Sequence, residues 1–100
     1  MAELVTIARP YAEAVFRIAK DGNAFADWSR MLQVAATVAR DAQMAALIAS
    51  PNVAGADVTR VFLGVCETEL NEQGKNFVKT LIENDRLTVL PQVAELYEEL

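Results

Sequence analysis

The sequence predicts an all-α fold, a compact six-helix bundle forming a single domain over residues 1–100. Three observations carry this. Apolar residues recur at three- and four-residue spacing through successive segments, the signature of helices with one buried face. Ala, the strongest helix former, is the commonest residue. The 4 glycines and 3 prolines sit between the apolar segments more often than inside them. Six short helices with turns of roughly two to six residues are what a compact bundle requires.

The first helix is expected from Thr6 to Lys20, with Thr6 as N-cap and Pro10 in or just past its first turn, where a missing N–H costs little. Its apolar surface is wide. Ile7, Tyr11, Ala14, Val15 and Ile18 form one set, and Ala8, Ala12, Phe16 and Ala19 another beside it. Arg9, Glu13, Arg17 and Lys20 leave only a narrow solvated edge. A helix apolar over so much of its girth needs cover on two sides, one from its own domain and one from the domain or a partner.

Asp21-Gly22-Asn23 ends that helix, with Gly22 suited to the left-handed position and Asn23 to the next N-cap. The second helix carries Phe25, Trp28, Met31, Leu32, Ala35, Ala36, Val38 and Ala39 on a broad face opposite Asp27, Arg30, Gln33 and Arg40. Asp41 caps a short third helix through Met44, Leu47 and Ile48, which Ser50-Pro51-Asn52 ends because a residue before proline is pushed out of the α region. Residues 51–55 form a loop. The fourth helix starts near Ala56-Asp57 and is expected to bury Val58, Val61, Phe62, Val65, Cys66 and Leu70, with Gly64 a weak point unless a neighbour packs closely there. The fifth follows Asn71, presents Phe77, Val78, Leu81 and Ile82, and ends at Asn84-Asp85, with Asn84 able to adopt the left-handed turn. Thr88 is expected to cap the sixth, which holds Pro91 in its first turn and a stripe of Leu90, Val93, Ala94, Tyr97 and Leu100.

Several functions are disfavoured. A net charge of −5, with 9 scattered basic residues, argues against nucleic acid and against an anionic membrane surface. No uncharged run is long and apolar enough to span a bilayer, and the start lacks the features of an export signal. One cysteine cannot form an internal disulfide and fits a reducing compartment; Cys66 reads as a buried structural thiol. With no histidine, the commonest general base and metal ligand is missing, and no catalytic, cofactor or metal site is nominated. The carboxylates Glu67, Glu69 and Glu72, and Glu95, Glu98 and Glu99, read as solvated surface because they lack calcium-loop spacing. Trp28 and Tyr11 have two readings, core packing or the lining of a docking surface.

The segment Ala8-Arg9-Pro10-Tyr11-Ala12-Glu13-Ala14-Val15-Phe16 resembles the opening of the δ-subunit family of F-type ATP synthases, which includes the oligomycin-sensitivity-conferring protein. The likeness continues through Trp28-Ser29-Arg30-Met31-Leu32, Asp41-Ala42-Gln43-Met44, Val65-Cys66 and Gly74-Lys75-Asn76-Phe77. It ends on Glu83-Asn84-Asp85-Arg86-Leu87 with Leu90-Pro91, similar to the N-x-R-L-x-x-L-P corner between that family's fifth and sixth helices. The resemblance implies a non-catalytic N-terminal six-helix domain, without cofactors, that holds the N-terminal helix of an α subunit on top of the catalytic head. It implies a groove between the first and fifth helices, with Tyr11, Ala14, Val15 and Ile18 on one wall and Asn76, Thr80 and Glu83 on the other. A C-terminal domain that binds the b-subunit stalk is expected to be absent from this chain. The implied location is peripheral, at the cytoplasmic face of the inner membrane, within the synthase. A generic helical adaptor for another amphipathic helix shows the same periodicity and is the alternative.

Overall fold

A computed structural model describes residues 2–100. Among them the chain forms six α-helices and no strand: α1 (Ala2–Asp21), α2 (Phe25–Arg40), α3 (Ala42–Ala49), α4 (Gly55–Cys66), α5 (Glu72–Glu83) and α6 (Leu90–Glu99), with a 3₁₀ turn at Leu87–Val89. The expected all-α bundle is what the chain builds. A Cα radius of gyration of 12.7 Å matches the roughly 13 Å of a single 100-residue domain.

The core gathers around α6, which packs most closely on α1 and α2. Ala8, Ala12, Val15 and Ala19 of α1 are all 0% exposed. Three of these four are alanines, small enough for one helix to lie close on the other. From α6, Leu90, Val93, Ala94, Leu96 and Tyr97 are buried in return. The Tyr97 hydroxyl donates 2.8 Å to the carbonyl of Phe25, tying the end of α6 to the start of α2. Trp28 and Met31 carry the core across to α5, where Val78 and Leu81 are buried.

Several local expectations shift. α1 begins at Ala2, so Thr6 is an interior residue and no cap, and Pro10 lies well inside the helix. Pro10 is exposed, on the side away from the buried alanines, so its missing N–H is lost on the solvated face. The turn after α1 is a Schellman closure: Ala24 N–H donates to Ala19 O at 2.8 Å and Asn23 N–H to Lys20 O at 3.2 Å. Its left-handed residue is Asn23 (φ 51°) rather than Gly22, and Ala24, with no side-chain cap, precedes α2. The end of α5 repeats the pattern. Arg86 N–H donates to Leu81 O at 2.7 Å, and Asp85 (φ 57°), not Asn84, takes the left-handed position. Asn and Asp both tolerate that conformation, so neither turn needs glycine there. Thr88 falls inside the 3₁₀ turn and caps nothing; Val89 precedes α6, with Pro91 in the first turn as expected. Asp41 does cap α3, accepting from the N–H groups of Gln43 and Met44, each at 3.1 Å.

The apolar stripes are also trimmed. Val65 is 60% exposed and Leu100 48%, and Phe25, at the first position of α2, is 41% exposed beside Phe16. Val61 is half-buried, while Val58, Phe62, Cys66 and Leu70 reach the core.

Gly64 has nothing within 4 Å of where a Cβ would stand, whereas a Cβ on Gly74 would meet Met31 Sδ at 2.8 Å. Gly64→Ala should therefore stabilise the fold by about 0.5–1 kcal/mol in urea denaturation, the gain in helix propensity. Gly74→Ala offers a similar propensity gain but should fall below wild type, because Met31 is 1% exposed and has little room to yield. Burial raises the Cys66 thiol pKa, with the Glu69 carboxylate adding to the effect. The folded thiol therefore resists ionisation, so its contribution to stability is complete below about pH 8.5, where the unfolded thiol titrates, and declines above it. Alkylation of Cys66 by iodoacetamide at neutral pH should be slow in the folded protein and rapid in urea.

Candidate docking furrow

α1 and α5 make little direct backbone contact, yet their side chains meet. Tyr11 stands edge-on to Phe77, with ring centroids 6.4 Å apart, and Phe77 stands perpendicular to Trp28 at 6.0 Å. The three rings bridge helices that are too far apart to pack directly. Between the helices lies a furrow of about 290 Å³ lined by Ile18, Trp28, Gln73, Asn76, Phe77 and Thr80. Trp28 is 1% exposed, which is the core reading, and its edge forms part of the furrow's floor. Ile18 is 42% exposed, an aliphatic side chain without cover on the α1 wall.

The two helices run in opposite directions along the furrow. Ile18 shares the furrow with Gln73, Asn76, Phe77 and Thr80, while Tyr11 meets Phe77 and, beyond the lining residues, Asn84, whose Nδ2 donates to the Tyr11 hydroxyl at 3.1 Å. The α5 residues that line the furrow, Gln73 to Thr80, span about 10 Å, or two helical turns.

The seven expected contact residues divide as follows. Ile18, Asn76 and Thr80 line the furrow together, and half-buried Tyr11 stands outside its lining, edge-on to Phe77. Ala14 is exposed on α1, one turn from Tyr11 and one from Ile18, and Glu83 is exposed at the end of α5. Val15 requires correction. It is 0% exposed, on the α1 face that carries Ala8, Ala12 and Ala19 into the core, and it offers no surface to a partner. The wide apolar girth of α1 thus splits differently from the two expected sets, with Val15 joining the inner one.

Gln73 and Phe77 also line the furrow and were not expected there. Their spacing could have revealed Gln73, since 73, 77 and 80 follow the same i, i+4, i+7 rule that groups a helix face. Phe77 was assigned to the core stripe, and it does pack on Trp28; its outer edge is what the furrow uses.

The walls differ in chemistry. α1 presents Ile18 and α5 presents the amides of Gln73 and Asn76 and the Thr80 hydroxyl, which donates to Asn76 O at 3.0 Å and still has lone pairs to accept with. Such a surface, part aliphatic and part hydrogen-bonding, is of the kind that can grip an amphipathic segment. Among the described residues, no group of three or more His, Cys, Asp or Glu is placed to hold a metal ion, and no helix is long and apolar enough to cross a membrane.

A larger hollow of about 900 Å³ lies between α2, α3 and α4, bounded by Val38, Met44, Leu47, Val61 and Val65. It has no aromatic lining, and its charged rim is already engaged, Arg40 with Glu95 at 3.5 Å and Asp41 with the start of α3. Size alone favours it, whereas aromatic content and free hydrogen-bonding groups favour the α1–α5 furrow as a binding surface.

Comparison with known proteins agrees with the motif resemblance. Residues 7–100 match the family model described as the ATP synthase delta (OSCP) subunit. The chain is 55% identical over its full length to ATP synthase subunit delta of Methylobacillus flagellatus, 52% to that of Nitrosospira multiformis and 51% to that of Idiomarina loihiensis. In each case it spans about half of the relative, 56% of its length. With a matching model over nearly all its residues and the six-helix bundle in place, the chain belongs to the ATP synthase delta (OSCP) subunit family.

Proposed function

We propose that this chain is the head-binding N-terminal half of a stator subunit, and that its α1–α5 furrow seats the N-terminal helix of an α subunit of the catalytic head. The observation that carries the reading is the furrow itself, an aromatic-floored channel lined along about two turns of α5, from Gln73 to Thr80, with an uncovered aliphatic wall at Ile18. A helix-in-groove contact of this kind takes apolar anchors at i, i+3/i+4 and i+7 from its partner. The neighbouring Ala14 is small and exposed, and lets a partner helix approach α1 closely.

The role asks for affinity and stiffness rather than catalysis. A rotor turning inside the head drags the head with it, and a stator must resist that torque. The connection to the b-subunit stalk would run through the further length that the relatives possess, and the complex would sit peripherally at the cytoplasmic face of the inner membrane.

NMR titration of the labelled chain with a synthetic peptide of the cognate α-subunit N-terminal segment tests this. Saturable shifts are expected at Tyr11, Ala14, Ile18, Gln73, Asn76, Phe77 and Thr80; saturable shifts confined to the α2–α3–α4 hollow would reject the furrow. Ala14→Asp places an unpaired charge at the wall. It should weaken peptide binding by about ten-fold or more, equivalent to at least ~1.4 kcal/mol, while leaving the helical content and melting temperature close to wild type.

A further inference from the structure

Two of the large apolar side chains that stand exposed share one patch, where the end of α6 meets α1 and the start of α2: Phe25 is 41% exposed and Leu100 48%. Phe16 joins them. Its ring centroid lies 5.2 Å from that of Phe25 and 6.3 Å from that of Tyr97. Two shallow hollows of about 460 and 400 Å³ adjoin here, and Phe16 and Leu100 line both. Phe16 and Ile18 are two residues apart on α1, a rotation of about 200°, so this patch and the furrow are separate surfaces on nearly opposite sides of one helix.

The frame of the patch is held in place. Tyr97 Oη donates to the Phe25 carbonyl at 2.8 Å, Ser29 Oγ donates to Glu98 Oε2 at 2.6 Å, and the Leu100 N–H donates to Tyr97 O at 3.2 Å. These bonds fix the end of α6 against the start of α2 and leave the rings open. The rim is charged on the α1 side, where Glu13, Arg17 and Lys20 line the second hollow. Neither of the two cations makes an ion pair among the described residues. Such a surface fits a segment that brings apolar side chains to the rings and carboxylates to Arg17 and Lys20.

Position selects that segment. Leu100 is itself part of the patch, so a residue joined to it starts on this surface. The chain spans 56% of the length of its relatives, and on the reading of it as an N-terminal half the remainder follows Leu100. A segment tethered at the edge of a patch meets it at an effective concentration in the millimolar range, an advantage that a separate partner lacks. About ten residues suffice, reaching ~15 Å as helix and ~33 Å when extended.

We infer that the segment following position 100 in the longer relatives folds over the Phe16–Phe25–Leu100 patch, with apolar residues on the rings and acidic residues toward Arg17 and Lys20. The inference rests on the N-terminal-half reading above. It adds where the rest of the subunit begins its path, on the side of α1 turned away from the furrow.

The test joins this chain at Leu100 to the remainder of the Methylobacillus flagellatus, Nitrosospira multiformis and Idiomarina loihiensis subunits in turn, with a Gly/Ser tail as control. Relative to that control, the amide resonances of Phe16, Arg17, Lys20, Phe25 and Ala26 are expected to move, and those of Asn76 and Thr80 to stay. Phe25→Ser should leave the helical content of the 100-residue chain close to wild type. In the joined chains it should speed proteolysis just beyond Leu100 by about ten-fold, because the covered segment opens more often. Lys20→Glu should speed it by about two-fold, the scale of one exposed ion pair. No movement at the patch in any of the three joined chains, or equal cleavage of wild type and Phe25→Ser, would overturn the inference. Movement of the same amides as the 100-residue chain is concentrated would also overturn it, by making a second copy the occupant. Titrating the joined chains with the α-subunit N-terminal peptide separates the two readings. Furrow shifts without cover of the patch reject this inference alone, whereas cover without furrow shifts rejects head binding and upholds the inference.

Discussion

The perpendicular contact between Trp28 and Phe77 sets the shape of the whole α1–α5 face. The indole is 1% exposed and meets the phenyl ring at 6.0 Å and 89°. Edge-to-face geometry suits the quadrupoles of both rings, but it also takes up space. With an indole standing between them, α5 cannot settle against α1 as closely as α6 does. Phe77 is held outward, Tyr11 leans on it, and a channel remains above the three rings. The concavity therefore follows from close packing of large side chains underneath it rather than from a packing fault. Shrinking Trp28 would cost the core about 3–5 kcal/mol and take the floor out of the furrow as well.

The opposite face of α1 obeys the reverse rule. Ala8, Ala12 and Ala19 bring α6 close, and the wide apolar surface that looked excessive for one helix is divided between a small-residue face inside and Ile18, Ala14 and the edge of Tyr11 outside. Pro10 lies on the outer side, where interrupting the hydrogen-bond ladder costs least because water is available. One helix thus serves both the core and the exposed wall, and a change at Val15 belongs to the first role although its neighbour Ala14 belongs to the second.

Helix number, type and order were legible in the sequence because each depends on periodicity, which burial enforces over ten or more residues. Asp41 as a cap and Pro51 as a stop were legible because their effects are local and strong. The helix ends at Asn23 and Asp85 moved by one residue because a Schellman closure is fixed by which carbonyl the sixth residue reaches, and that depends on where the next helix is held. The start of α1 was misplaced because Thr6 looks like a cap only if the chain before it is not helical. Val15 and Gln73 went astray for a different reason. Helical spacing groups residues into faces, but it does not say which face meets a helix fifty residues away. Tyr11 and Asn84 lie 73 positions apart, and their hydrogen bond is visible only once the fold has brought them together.

On the proposed reading, what would suit this bundle to bearing load is where its fixed points lie. Asn71 caps the first turn of α5 through the Gly74 N–H at 2.8 Å, and the Asp85 closure fixes the last turn. Between them, Val78 and Leu81 anchor the inner face of α5 in the core. The α5 wall is therefore pinned at both ends and along one side, and the α1 wall is pinned by its alanines. On the proposed reading, walls that do not have to be ordered on binding leave more of the contact energy available as affinity. The same rigidity would pass a sideways force from a seated helix into the core of α1 and α6 instead of dissipating it in loop motion. The exposed ion pairs, such as Arg30 with Asp27 at 3.9 Å, add little to that stiffness, since pairs so open to water contribute less than about 1 kcal/mol each. On that reading the resistance would come from the apolar contacts beneath the furrow, so substitutions that loosen Trp28 or Phe77 would soften the seat as well as destabilise the fold.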